Sequence, residues 1–381
     1  MKVSVLQENL AHALSIVSRA VSPRTTLPVL GNVLVATDEG RLRLSATNLE
    51  LGITCWIGAK IEEEGSTTVP ARTFNELVST LPAQTVEMSL NLRTQTLNVR
   101  CGSSDTNLKC IDAQEFPPMP ALDWEDGIEL NVADLKEMIQ QVAFAASKDE
   151  ARPVLTGVQM TMRERLITLA AADGFRLSLR KGELPRPAAT PVSVIIPARA
   201  LVELARITSD SNQTVSMLLP PGRGQIVFHT KDAELVSQLI EGSYPELEQL
   251  VPTRYNTRTV LPTQEFLKAC KRVEIFAREG SNIARLNITP GGELQPGLVE
   301  ISGQSEETGS NQNQIDATIE GQPQLIAFNV SFLREVLEVV KTPSVALETT
   351  SETSPGVIRP VGDEKLASSF VHVVMPMHLG S

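Results

Sequence analysis

The sequence predicts an α+β protein of three tandem repeated domains, each with two helices packed on antiparallel sheets. Three observations lead there: blocks of sequence recur about 127 residues apart, helical and strand periodicities alternate in the same order within each block, and the composition is that of a folded chain. At roughly 100–200 residues per domain, 381 residues exceed a single core. Hydrophobic residues make up 41% and charged residues 21%, which excludes a disordered chain.

The repeats are read from landmarks in fixed order. LPVLGNVLV (27–35) returns as RPVLTGVQM (152–160), so that Pro28, Val29, Leu30 and Val33 recur as Pro153, Val154, Leu155 and Val158. TTVPARTFNELV (67–78) returns as VIIPARALVELA (194–205), and a weaker third copy is IAFNVSFLREVL (326–337). The boundaries fall near 1–125, 126–253 and 254–381.

Each copy opens with a short strand and then a helix. Leu10, Leu14, Val17 and Val21, and likewise Val132, Leu135, Ile139 and Val142, lie at helical spacing. Alternating runs such as RLRLSAT (41–47) and LITLAAA (166–172) follow as antiparallel strands, parted by turns such as Asp38-Glu39-Gly40. A second helix begins after Pro70 and Pro197, where a missing N–H costs least, and further strands complete the copy. Helices are expected over 7–24, 71–80, 132–148, 198–207, 263–279 and 331–341. The acidic run Glu62-Glu63-Glu64 reads as a solvated loop, and PPGRGQ (220–225) as a hairpin turn.

The chemistry-bearing motifs are missing from the sequence. It has no GxxxxGK[ST] or GxGxxG loop, no HExxH and no GxSxG. Four scattered cysteines and four histidines without i,i+4 pairing predict neither a metal site nor a disulfide framework, and they suit a reducing cytoplasm. No cofactor is expected. No apolar run reaches the roughly 18 residues a membrane helix needs, and Met1 leads into an ordinary alternating segment. Charge placement carries more. The net charge is −11, yet the six helical stretches hold thirteen Lys/Arg against ten Asp/Glu. Helix-lined surfaces would therefore attract phosphates while the acidic remainder repels them. Aromatic residues at 4% argue against a base-stacking platform and for duplex held through its backbone. An enzyme on a repeated scaffold, with a carboxylate pair invisible in sequence, and a peptide-binding scaffold without DNA remain the alternatives.

TLPVLGN (26–32), TTVPAR (67–72), AADGFRLSL (171–179), EGSYPELEQLVP (241–252) and VVMPMHL (373–379) carry a resemblance over essentially the whole chain. The chain resembles the bacterial DNA polymerase III beta subunit family, the sliding clamps. The resemblance implies that it forms half of a closed homodimeric ring around double-stranded DNA (the DNA clamp fold), non-catalytic, cytoplasmic and nucleoid-associated. Its implied partners are a clamp loader, the replicative polymerase catalytic subunit and other proteins with clamp-binding motifs. It implies DNA contacts at Arg24, Arg72, Lys148 and Arg199, with Asp149 an acid where the family has a polar residue. The implied peptide cleft is Leu155, Ala172, Gly174, Phe175, Arg176, Leu177, Pro245, Leu250, Val373, Met375, Pro376 and Met377. Phe175 and Ala172 make it greasier than usual. An extended terminal strand would turn Val373, Met375, Met377 and Leu379 to one face. The implied ring interface pairs Leu108 with the partner copy's counterparts of Ile275 and Phe276.

Overall fold

The computed structural model describes residues 1–22, 27–119, 127–208, 213–279, 281–292 and 295–378. Each repeat runs strand, helix, three strands, and then the same again, with one additional short strand, Lys60–Glu63, in the first. The helices are α1 (Gln7–Val17), α2 (Ala71–Thr80), α3 (Val132–Val142), α4 (Ala198–Ile207), α5 (Thr263–Ala277) and α6 (Val330–Val339). A six-residue α7 (Glu364–Ser369) precedes the last strand of the third repeat. The ranges of α2 and α4 are as expected. Those of α1 and α3 are shorter, because the chain tightens into 3-10 turns at Ser18–Ala20 and Ala143–Ala145. The two PVL motifs, Pro28–Gly31 and Pro153–Thr156, also fold as matching 3-10 turns with proline first. Glu39 and Gly40 both take positive φ, 47° and 78°, the turn that joins strands Asn32–Asp38 and Arg41–Thr47. The acidic run is not a loop: Glu62 and Glu63 lie in a strand, and Glu62 meets Lys2 at 2.7 Å.

The chain forms two compact units, Met1–Ala133 with Glu203–Leu239, and Asp134–Val202 with Ile240–Ser381. The middle repeat is divided between them, because its strands hydrogen-bond into sheets begun by the other repeats. In the first unit, strand Ala233–Gln238 pairs antiparallel with Leu51–Gly58, Leu235 opposite Ile53, and so completes an eight-stranded sheet. A second sheet of five strands ends at the edge strand Ser104–Lys109. In this unit α1 buries Leu10, Leu14 and Val17, and α2 buries Phe74 and Val78.

The second unit holds one twelve-stranded sheet. Its middle-repeat strands join the third repeat where Arg176–Glu183 pairs with Phe370–Val374, Leu177 opposite Val373. Phe266, Cys270 and Val273 of α5 and Leu333, Val336 and Leu337 of α6 form its larger core with Leu286, Ile301 and Phe328 of the strands. Each large side chain so buried is worth about 1.5–3 kcal/mol. The Asn329 side chain caps α6 by accepting from the Ser331 N–H at 3.0 Å.

Candidate functional site

In the second unit, a smaller apolar cluster lies on strands Leu166–Ala172, Arg176–Glu183 and Phe370–Val374. Ala172, Leu177 and Val373 belong to it, with Leu247 and Tyr244 from the segment that follows, and Val154 and Leu155 pack half-buried against it. Above this floor stand exposed apolar side chains: Phe175 is 60% exposed, Leu250 58% and Met375 43%. Pro245 is exposed, and Pro376 and Met377 are half-buried. A shallow apolar base with protruding Phe, Leu and Met is chemistry for gripping an apolar peptide segment.

Backbone chemistry shapes the rim. The Asp173 carboxylate accepts the N–H groups of Phe175 at 2.8 Å and Arg176 at 3.0 Å, folding a tight turn. Gly174 sits in it at φ +96°, and a Cβ there would stand 3.2 Å from Arg152 Nη1. Gly242 serves the neighbouring segment: its φ is +139°, and a Cβ would meet Val154 Cγ2 at 2.6 Å. Tyr244 is the anchor that the sequence pattern did not disclose. Its hydroxyl donates to the Gly157 carbonyl at 3.2 Å and accepts from the Ala172 N–H at 3.1 Å, pinning the 240–252 segment to two strands. Burial pushes its phenol up to about 12. The signal available was Gly-Ser-Tyr-Pro within a segment otherwise rich in acids. A groove of 570 Å³ runs along the same strands, lined among others by Thr168, Lys181, Tyr244 and Glu248.

One expectation changes in the structure. The terminal strand stops at Val374, so Val373, Met375 and Met377 do not continue one alternating face. Met375 N–H donates to Phe175 O and Met377 N–H to Ala327 O, each at 2.8 Å, while Pro376 bridges to Phe328. The chain thus leaves one strand and crosses to another. Leu379 lies outside the described residues. Ala172, Leu177 and Val373 form the floor of the cleft, at 7%, 6% and 4% exposure. The Arg176 guanidinium is turned inward. It meets Asp173 at 3.0 Å and Glu335 at 2.5 Å, and lies 4.3 Å from the Phe332 ring. Beneath it His372 is fully buried, its Nδ1 2.6 Å from Ser178 Oγ, and burial pushes the imidazole down to about 3.

Family models for the N-terminal, central and C-terminal domains of the DNA polymerase III beta subunit match residues 1–120, 129–246 and 248–378 in that order. The chain belongs to the DNA polymerase III beta subunit family. It is 35% identical over 387 residues to the beta sliding clamp of Synechococcus elongatus, covering all of both chains. It is 32% identical over 388 residues to that of Bacillus subtilis, covering 99% of each. Among solved structures, the Bacillus subtilis sliding clamp superposes with a TM-score of 0.91 at 30% identity over the full length of both chains. The Pseudomonas aeruginosa sliding clamp bound to griselimycin superposes with 0.89 at 26% identity, again over both whole chains.

Of the cations expected to meet DNA in this beta subunit, Arg72 carries an ion pair in the structure. Arg72, on α2, is exposed but holds Glu76 at 2.9 Å. Arg199 is exposed near the start of α4. Arg24 lies outside the described residues. Asp149 is committed to its own turn: it accepts the Ala151 N–H and meets Arg152 at 3.0 Å, which holds its carboxyl below the usual range. Lys148 is exposed and, among the described residues, makes no ion pair. Of the residues expected at the ring interface, Ile275 is 53% exposed and Phe276 half-buried on α5. Leu108 is 7% exposed, opposite Leu97 in the ladder, on the edge strand Ser104–Lys109. Among the described residues no helix is long and apolar enough to cross a membrane, and no cluster of His, Cys, Asp or Glu could hold a metal ion.

Proposed function

We infer that the chain is a DNA sliding clamp, a processivity factor that encircles duplex DNA without reading its sequence and tethers the replicative polymerase. The observation that carries this is the match of all three beta subunit domains, in order, over nearly the whole chain. The protein is a non-catalytic accessory subunit, and its three repeats, near 1–125, 126–253 and 254–381, supply half of a two-fold ring. Duplex DNA is about 20 Å across, so two chains are needed to enclose it, and closed two-fold symmetry makes each interface occur twice.

Holding DNA by topology removes the need for tight contacts. Sliding then requires weak, interchangeable phosphate contacts, which Lys148, Arg72, Arg199 and Arg24 supply without reading bases. The interface joins Ile275 and Phe276 of one chain to Leu108 in the first repeat of the other. Among the described residues its edge strand Ser104–Lys109 pairs along one side, with Thr96–Cys101, and offers backbone groups for strand pairing. Partner proteins place an apolar peptide segment over the floor of Ala172, Leu177 and Val373, between Phe175, Leu250 and Met375. The clamp loader, the polymerase catalytic subunit and other proteins of replication and repair share this cleft in the cytoplasm, at the nucleoid.

The test is topological. Loaded on nicked circular duplex by a clamp loader, the protein stays bound in high salt and is released when the circle is linearised. Release from intact circles at the salt that strips an ordinary phosphate-binding protein would refute the ring.

A further inference from the structure

We infer that Glu335 is a positioning residue for the peptide cleft, acting through Arg176 on the turn that presents Gly174 and Phe175. The inference rests on the cleft reading above and goes beyond it by placing a determinant of affinity outside the cleft, on α6.

Arg176 is held on every side. Its Nε meets Asp173 Oδ2 at 3.0 Å, Nη1 meets Glu335 Oε2 at 2.5 Å, and Nη2 donates to the Phe144 carbonyl at 2.8 Å. The guanidinium plane lies over Phe332 and Phe144, 4.3 and 5.3 Å from their centroids. Two of these groups, Glu335 and Phe332, come from α6, while the rest come from the middle repeat. The Asp173 carboxylate acts at both ends. One oxygen accepts the Phe175 and Arg176 N–H groups that form the turn, and the other binds the Arg176 side chain. The position of the guanidinium therefore decides where Asp173, and with it the turn, comes to rest.

Glu335 is the acceptor that draws the guanidinium away from Asp173. It is anchored in turn, with Arg334 3.5 Å from its other oxygen and Arg334 itself held by Glu274 at 2.7 Å and Glu338 at 3.0 Å. Remove the Glu335 charge and Arg176 keeps one carboxylate, Asp173, toward which it relaxes. The Phe175 carbonyl, which accepts from Met375 N–H at 2.8 Å, moves with the turn, so both exposed rim residues shift together.

With griselimycin, the ligand bound to the Pseudomonas aeruginosa sliding clamp, as the probe of the cleft, the experiment measures its affinity, circular dichroism and dimer state for the full chain and five variants. Glu335→Gln is expected to weaken binding fivefold or more, and Glu335→Asp by a smaller factor. Glu348→Gln removes ion pairs to Arg258 and Arg359 in the same unit without touching Arg176 or the residues that hold Glu335, and binding is expected to stay within twofold of the parent. Equal loss in Glu335→Gln and Glu348→Gln, or none in Glu335→Gln, overturns the inference. Leu250→Ala and Met375→Ala separate it from the reading on which it rests. If they weaken binding and Glu335→Gln does not, only the positioning role fails; if they too are silent, the cleft itself is wrong. Should Glu335→Gln not fold, hydrogen exchange in Glu335→Asp decides: faster exchange at the Phe175 and Arg176 amides supports the role, and unchanged exchange overturns it.

Discussion

Replacing Tyr244 with Phe takes one oxygen from the protein and leaves the ring in place. In the parent that oxygen satisfies two main-chain groups, the Gly157 carbonyl and the Ala172 N–H, on separate strands. Both residues are buried, and so is the phenol, at 7% exposure. Water therefore has little access to replace the lost partner, and the penalty is that of unsatisfied buried groups, about 1–3 kcal/mol. The Phe ring keeps its packing against Leu247 and the sheet, so no cavity term is added. Proteins with more than one compact unit depart from two-state unfolding as a class, which makes a global midpoint a blunt measure. Hydrogen exchange at the Ala172 amide is local. Loss of one or two kcal/mol of protection speeds it by a factor of about 5–30. The alkaline side gives a second reading. The folded phenol is pushed up to about 12 by burial, so the parent's stability is intact below pH 10 and falls as the pH rises toward and through 12. Tyr244→Phe lacks that contribution to the alkaline fall. An Ala172 amide exchanging within twofold of the parent in Tyr244→Phe would show that the hydroxyl does not anchor the segment.

Two further outcomes are expected. Ile275→Ala combined with Phe276→Ala, which strips apolar surface from an exposed stretch of α5, yields monomers in sedimentation. A dimer that persists at nanomolar concentration would contradict the assigned interface. His372 is neutral when folded, its imidazole pushed down to about 3 by burial and by the neighbouring Arg176 charge. It titrates near its usual 6.5 when unfolded. Its contribution to stability is thus present above pH 6.5 and is lost as the pH falls toward 3. A His372 ring that NMR finds protonated at pH 5 in the folded chain would refute this.

The repeats were readable because duplication leaves its mark on local pattern: PVL turns, Pro-Ala-Arg helix starts and alternating strands return at fixed spacing. The compact units were not, since they depend on which strand edges meet. Nothing in AELVSQ (233–238) says that its free edge will pair with Leu51–Gly58, or in FVHVV (370–374) that it will pair with Arg176–Glu183. Sheets that run on from one repeat to the next make the sequence period and the cooperative unit different things. The cleft was half readable for a related reason. Its apolar residues stood out, but alternation was extended past Val374 into Met375 and Met377. Pro376 cannot donate to a ladder, and the chain changes strands there. The inward turn of the Arg176 side chain, placed in the cleft by resemblance, was not readable, because arginine is mostly exposed. Two carboxylates and two aromatic rings take it inside.

Charge shows the same gap between element and assembly. Counting Lys and Arg along helices gives a positive sum, yet much of that charge is matched by acids on the same or a neighbouring helix. Arg72 of α2 meets Glu76 at 2.9 Å, Lys271 of α5 meets Glu338 of α6 at 2.9 Å, and Arg278, just beyond α5, meets Glu279 at 3.4 Å, all of them exposed. A composition count registers the cations and is blind to these pairings. Their weakness matters for the function. Exposed pairs contribute only about 0–1 kcal/mol, so a passing phosphate can take the place of a carboxylate at little net gain or loss. A helix surface built of exchangeable pairs attracts a polyanion only shallowly and almost equally at every register. Deep, unpaired cationic sites would bind duplex more tightly and would hold the ring at fixed positions along it, which a protein that must travel with a polymerase cannot tolerate.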